Sequence, residues 1–272
     1  ICALVKNLNN SAAVRFPDMR VSCVLGISNQ AWKTLELPLP LPKELIDFTP
    51  IKGNKHEAVS TQGDLHFHIR GVHFSICYDM ASSIGDVLKS VADCTVEEHG
   101  FRYWDGRSIL GFVDGTENPQ GDKRDFFAKV GKEDPTYEGG SYLFVQKYLH
   151  NMTAWNNLST KDQENVIGRS KKNDIEMSDE VKPDNSHSAL ANVGDDKKVV
   201  RDNMPFVNKT TNEIGTYFIA YASTFATVRE MLNAMFVGIP EGNYDRILDF
   251  STPVTGTLFF VPTIDMLDDF SG

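Results

Sequence analysis

Two rounds of strand-like, helix-like and strand-like pattern follow one another along this chain, and that repetition limits its fold more than any other feature. In the first round, residues 21–28 (VSCVLGIS) are apolar and β-branched and close on a Gly-containing turn, the pattern of a buried strand. Residues 64–70 (DLHFHIR) alternate polar and apolar types like a half-buried strand, which puts His66 and His68 on one face. Ala81, Ile84, Val87, Leu88 and Val91 recur at the three-to-four spacing of an amphipathic helix, and residues 94–104 read as a further strand. A helix-like run over residues 1–10 precedes the first strand. Residues 35–50, LELPLPLPKELIDFTP, hold four prolines within sixteen residues and predict an extended surface connection rather than helix or ladder.

In the second round, residues 141–149 (SYLFVQKYL) and 216–222 (TYFIAYA) are strand-like. Residues 160–168 and 228–237 are helix-like, and residues 257–262 (TLFFVP) form a closing strand. A chain of 272 residues fits two cores of about 100 to 150 residues each better than one giant sheet. The expected architecture is therefore α+β, with two successive halves over residues 1–110 and 111–272 joined in the polar stretch after Gly111. Residues 170–198 are strongly charged and predict a long solvated loop, of a length that is uncommon inside compact domains.

Charge and apolar run length exclude two classes of partner. With 27 Lys and Arg against 37 Asp and Glu, the formal net charge of −10 repels phosphate backbones, so nucleic acid is not expected. The longest apolar stretches, such as residues 231–240, fall short of the roughly 20 residues that span a bilayer, so no membrane is expected either. Cys2, Cys23, Cys77 and Cys94 show no C-x-x-C pair and are too sparse for a disulfide scaffold. Free thiols, together with an opening that lacks a basic segment and a small-residue cleavage site, predict a cytoplasmic protein.

The densest local signal is GFVDGTENP at residues 111–119. Its residue types fit a tight turn with a capping Asp114, or else a carboxylate on a kinked segment that glycine lets approach a ligand. His187, in the charged stretch, is either a solvated loop histidine or a metal ligand. Arg201-Asp202-Asn203 sits where an apolar segment runs into a turn, the setting of an ordinary surface ion pair. His66, His68 and His73 admit a metal site, because an H-x-H pair on a strand can converge on one ion.

Beyond these separate readings, an ordered set of segments carries a resemblance. GDLHFHIRG, EEHGFRYWDGRSILGFVDGTENPQG, GGSYLFVQKYLHNMTAW, IGRSK, NSHSALANV, RDNMPF and GTYFIAYA resemble the dye-decolourising peroxidases, in particular their short bacterial-type subgroup. The resemblance implies two ferredoxin-like halves with antiparallel sheets that pack together, and haem b held mainly by the C-terminal half. The family carries a further strand before its first helix. Residues 1–10 here already read as that helix, so either this sequence starts late or the first half is incomplete.

The resemblance also assigns roles. His187 is the expected axial ligand of haem iron, with the opposite face open to hydrogen peroxide. Asp114 is expected on that distal face to move the peroxide proton, Arg201 to stabilise the departing oxygen and keep Asp114 ionised, and Asn203 to orient peroxide or a water. Asp245 is expected to accept the other ring N–H of His187, and Arg169 to pair with a haem propionate. The implied activity is oxidation of small organic donors such as dyes and phenolics through a ferryl state, by an enzyme that forms dimers or larger homo-oligomers. Tyr103, Trp104, Trp155 and Tyr221 are the expected surface aromatics for relaying electrons. Two other readings are a haem-handling or haem-sensing protein with incidental peroxidase activity, and a metalloprotein using His66 and His68.

Overall fold

In the computed structural model, which describes residues 1–271, the apolar and alternating runs of the first half become strands flanked by helices. Helix α1 (Cys2–Arg15) leads into β1 (Ser22–Ser28), which hands over to α2 (Asn29–Thr34) at Ser28, whose hydroxyl caps the helix by accepting the Ala31 N–H at 3.2 Å. The proline-rich stretch crosses the surface without regular structure. A small hairpin of β2 (Ile51–Lys52) and β3 (Glu57–Ala58) follows, then β4 (Leu65–Arg70) and α3 (Phe74–Leu88).

Residues 94–104 do not form the expected strand. Glu97, Glu98, His99 and Gly100 interrupt any apolar alternation, and Glu98 turns instead to Lys147, 2.5 Å away. Among the described residues, its backbone bonds a neighbouring strand once, from Phe101 N–H to Pro205 O at 3.1 Å.

The second half runs α4 (Asp122–Ala128), β5 (Ser141–His150), α5 (Met152–Asn156), α6 (Thr160–Ile167), α7 (His187–Leu190), β6 (Val200–Arg201), β7 (Met204–Asn208) and β8 (Glu213–Ala222). It closes with α8 (Phe225–Phe236), β9 (Ser251–Pro253), β10 (Thr257–Val261) and α9 (Ile264–Asp269). The charged stretch at residues 170–198 is thus not one open loop: α7 interrupts it, and Arg169 bridges back to Glu176.

All but the β2–β3 hairpin join one antiparallel sheet, ordered β4-β1-β10-β5-β8-β6, with β7 also on β8 and β9 also on β5. Strands of the first 110 residues meet those of the rest at a short junction, Ile27 opposite Phe260 and Ser28 opposite Phe259. The sheet curls until β4 faces β8, so that His68 of one bonds Tyr221 of the other.

Residues on one face of central strand β5, Tyr142, Phe144 and Tyr148, pack with Trp32, Phe236 and Phe260 in the main core. Leu143 and Val145, on the other face, meet Ile219 and Phe259 inside the curl. Each fully buried aromatic or aliphatic side chain contributes about 1.5 to 3 kcal/mol, so burial on both faces makes β5 the rigid element from which the loops hang. A third cluster of Leu110, Phe112, Trp155, Val166, Ile167 and Phe250 anchors the loop before Asp114. Trp155 is therefore a core residue, 1% exposed, with its indole N–H on Leu110 O at 3.0 Å, and not the surface aromatic expected.

Candidate active site

Helix α6 ends at Gly168, which adopts φ +84°; a side chain there would collide with the Ser188 hydroxyl and crowd that of Ser186. Glycine thus lets the chain pass close under Ser186, and His187 emerges as the first residue of α7. Its Nδ1 lies 2.7 Å from Asp245 Oδ2.

Asp245 is completely buried, and its placement is over-determined. Its N–H donates to Met235 O at 2.8 Å, and its Oδ1 accepts the Ile247 N–H at 3.0 Å. The next residue ties the loop to the histidine segment, Arg246 N–H to Asn185 O at 3.0 Å. A buried carboxylate with one oxygen already engaged needs a donor on the other, so Nδ1 of His187 carries the proton and Nε2 keeps its lone pair. Among the described residues nothing bonds that Nε2. Behind the carboxylate, burial and the Asp245 charge push the Tyr148 phenol well above its ordinary range, and its O–H donates to Gln146 Oε1 at 2.5 Å.

The second group of residues is built on the GFVDGTENP turn. The Asp114 N–H donates to Gly106 O at 3.0 Å, and Gly115 turns the chain with φ +80°. Three residues on, Asn118 donates to Arg201 O and accepts the Arg201 N–H, both at 2.8 Å. Asn203 then donates from Nδ2 to Asp114 Oδ1 at 3.4 Å and accepts the Ile219 N–H on Oδ1 at 3.2 Å.

Asp114, Arg201 and Asn203, far apart in sequence, are thereby drawn to one locality. The Arg201 guanidinium makes no hydrogen bond or ion pair among the described residues. In particular it forms no ion pair with Asp114 within 4.0 Å. Asp202, between the two, points to the opposite side of the strand, where its carboxylate takes Arg70 at 2.6 Å.

Arg169 is placed otherwise. Its guanidinium bonds Asp174 at 2.8 Å and Glu176 at 3.1 Å and lies 3.5 Å from Glu117. Three acids thus already surround its guanidinium. Asn118 is the clamping residue that spacing did not reveal; the signal available was an Asn three residues after Gly115, a type that caps backbone two or three residues away as readily as it reaches another strand. His66 and His68 lie inside the curl and His73 lies exposed at the start of α3, so the three do not converge. Among the described residues no group of three or more His, Cys, Asp or Glu side chains could hold a metal ion, and no helix is long and apolar enough to cross a membrane.

A single oriented imidazole with a free Nε2 fits a metal whose remaining ligands come with a prosthetic group, as in haem. The buried hydroxyls of Ser186 and Ser188 and the guanidinium of Arg201, unpaired among the described residues, also fit a site shaped for something further.

Fold and geometry define an α+β protein with an imidazole held by a buried carboxylate, His187 on Asp245, and a separate group of Asp114, Arg201 and Asn203. The chain belongs to the Dyp-type peroxidase family: the family's N-terminal region matches residues 5–102 and its C-terminal region residues 105–266. It is 47% identical over 273 residues to a dye-decolorizing peroxidase of Rhodococcus erythropolis, covering 99% of this chain and 80% of that one. A solved dye-decolorizing peroxidase from Bacteroides thetaiotaomicron superposes with a TM-score of 0.97 at 54% identity, over 100% of this chain and 88% of that one. A variant of Rhodococcus jostii DypB in complex with heme superposes with a TM-score of 0.92 at 46% identity, over 98% and 88%. The chain has the α+β, ferredoxin-like fold of these proteins.

Proposed function

We propose that this chain is a haem b peroxidase in which His187 would hold the iron and Asp114, Arg201 and Asn203 would handle hydrogen peroxide. One observation carries the reading: the 2.7 Å bond from His187 to a carboxylate that is itself wholly buried. Haem, when bound, supplies an iron that accepts two oxidising equivalents from peroxide and passes them on to a donor one at a time. Everything else falls to the chain. Asp245 fixes the tautomer and plane of His187 and makes its Nε2 a stronger donor. Asp114 accepts a proton from the nearer peroxide oxygen and returns it to the farther one, so that water can leave. Asn203 holds Asp114 by Oδ1 and leaves Oδ2 for that work. Arg201, with no side-chain partner among the described residues, offers a permanent positive charge to the leaving oxygen. Arg169 would serve a propionate only by exchanging its hold on Asp174 and Glu176.

The division into halves at residue 110, the small organic donors, the homo-oligomer and the cytoplasmic setting belong to the same reading. Phe74, Tyr78 and Val87, each more than half exposed on α3, support self-association, and four free cysteines support a reducing compartment. The test is the absorption spectrum of haem-reconstituted protein before and after one equivalent of peroxide. A Soret band that collapses in His187→Ala and changes with peroxide in the wild type is the expected result; no band at saturating haem overturns the reading.

A further inference from the structure

The β2–β3 hairpin belongs to no larger sheet, and with two residues in each strand it has little stability of its own. Its first and last residues, Ile51 and Ala58, are buried in the main core. At its tip the Gly53 N–H donates to His56 O at 2.9 Å and closes the turn. A side chain at residue 53 would collide with Phe236 O, so glycine lets the hairpin backbone lie against the last residue of α8. From that end of α8 the chain doubles back through Gly238 and Gly242, where Asn54 of the hairpin tip lies alongside, to Asp245, whose N–H returns to Met235 O.

After Asp245 comes a single helical turn, Arg246–Asp249. Asp245 caps its beginning by accepting the Ile247 N–H, and Asp249 stands at its end. One turn does not hold itself in water, because fixing its backbone costs more than its few bonds return. The bonds already described fix the end that carries Asp245, and the hairpin fixes the other. Asp249 Oδ1 takes Lys55 Nζ at 2.5 Å, the Tyr244 O–H at 3.0 Å and His56 Nε2 at 3.1 Å, while Oδ2 takes Arg246 Nε at 3.3 Å. Burial opposes the charge of Asp249, yet the bonds from Lys55, His56 and Tyr244 outweigh it and hold its carboxyl below the ordinary range. An ionised carboxylate only accepts, so Nε2 carries the His56 proton. The His56 ring also meets the Tyr244 ring edge-on at 4.9 Å, and the Lys55 ammonium lies 5.4 Å from the centre of that ring. Hairpin and turn are thereby joined across 193 positions of sequence.

We propose that the β2–β3 hairpin is a strap for the Asp245 loop, and that His56 and Lys55, through Asp249, are positioning residues for the bond between Asp245 and His187. While the strap holds, the turn keeps Asp245 Oδ1 on Ile247 and Oδ2 on His187, and water stays away from the carboxylate. Once released, the turn frays from Asp249, the Ile247 N–H withdraws, and Asp245 divides its bonds between the imidazole and water. His187 is then a weaker donor at Nε2. The inference rests on the haem reading for its effect on iron; the bond it acts on belongs to the chain alone, and the first arm of the test reads it there.

In that arm, the haem-free full chain labelled with nitrogen-15 histidine is followed by NMR. The Nδ1 proton of His187, identified by its absence in His187→Gln, is expected to exchange with water about tenfold faster in His56→Ala than in wild type, because a buried bond exchanges by local opening. In the second arm, the haem-loaded chain is titrated for its iron(III)/iron(II) potential, and its haem is transferred to an acceptor apoprotein. His56→Ala is expected to raise the potential, since a weaker imidazole donor stabilises iron(III) less. Haem should leave about three- to tenfold faster, short of the roughly 10- to 100-fold that follows loss of a direct partner.

His56→Gln, whose amide can still donate to Asp249, is expected to restore wild-type exchange, potential and haem transfer. Asn9→Ala, which cuts two 2.8 Å bonds between α1 and Cys23 of β1, is expected to lower the urea midpoint and move none of the three. Where His56→Ala fails to fold, Tyr244→Phe takes its place, removing one donor from Asp249, with the same readouts expected to move in the same direction. Wild-type exchange in these variants overturns the strap, whether or not haem binds. Faster exchange with an unchanged potential overturns the link to iron. A wild type without a Soret band overturns the haem reading and leaves the exchange rates to decide the strap.

Discussion

The side-chain amide of Asn118 bonds both backbone groups of Arg201, N–H and C=O, at 2.8 Å each. It does what a neighbouring strand would do for β6, which among the described strands pairs with β8 alone. By this clamp the turn that carries Asp114 and the strand that carries Arg201 become one unit, although the two bonding residues are 83 positions apart.

Asn118→Ala removes both bonds and leaves two backbone groups partly buried, at a cost of about 1 to 3 kcal/mol in stability. The expected signature is a normal Soret band with peroxide reacting at least about tenfold more slowly, since small misplacements of the oriented groups are amplified in rate. Stopped-flow mixing with peroxide reads both.

Asp245→Ala strips His187 of its acceptor and leaves a cavity behind the ring. Haem should be held about 10- to 100-fold more weakly. Transfer of haem to an acceptor apoprotein measures this, and a transfer rate equal to wild type would contradict the role given to Asp245.

Asp114→Asn keeps the shape of the side chain and its contact with Asn203 but removes the proton acceptor. Haem binding should be unchanged while the peroxide reaction slows by about 10² to 10⁴. Asn203→Ala should have the smaller effect, because it frees Asp114 without removing it. An Asn203 variant slower than Asp114→Asn would reverse the assignment of the two.

Acid should destabilise this fold well above the carboxylate range. His150, which bonds Thr216 and Ser251 at 2.9 and 2.7 Å, is held down to about 4 by burial, and His66 to about 3 by burial and the nearby His68. Both native values lie below the ordinary 6.5, so the unfolded chain takes up these protons first. The stability they contribute is complete above pH 6.5 and is lost as pH falls from there toward 4, at about 1.4 kcal/mol per pH unit per group. Urea unfolding from pH 7 to 4 should show this fall, and His150→Gln should flatten it by the share of one group.

Residues 21–28, 64–70, 141–149, 216–222 and 257–262 were legible as strands because alternation and β-branched content are properties of a few consecutive residues. The helices after Phe74, Thr160 and Phe225 were legible for the same reason. Each site residue could be located by the motif around it, but the motif did not reveal what the residue touches. Residues 94–104 carry enough apolar types to suggest a strand, yet Glu98 pairs with Lys147 and the segment forms none. Strands β6 and β7 are too short to show any period, and they exist because β8 offers them an edge.

What the sequence determined by itself is therefore the class of the longer periodic segments and the chemical type of each candidate group. Tertiary structure alone decided the partnerships: His187 with Asp245 across 58 positions, Asn118 with Arg201 across 83, His68 with Tyr221 across 153. Local pattern reports which face of an element is apolar, whereas a hydrogen bond needs two atoms within about 3 Å of each other. That proximity arises only once the sheet has curled and the loops between distant elements have closed.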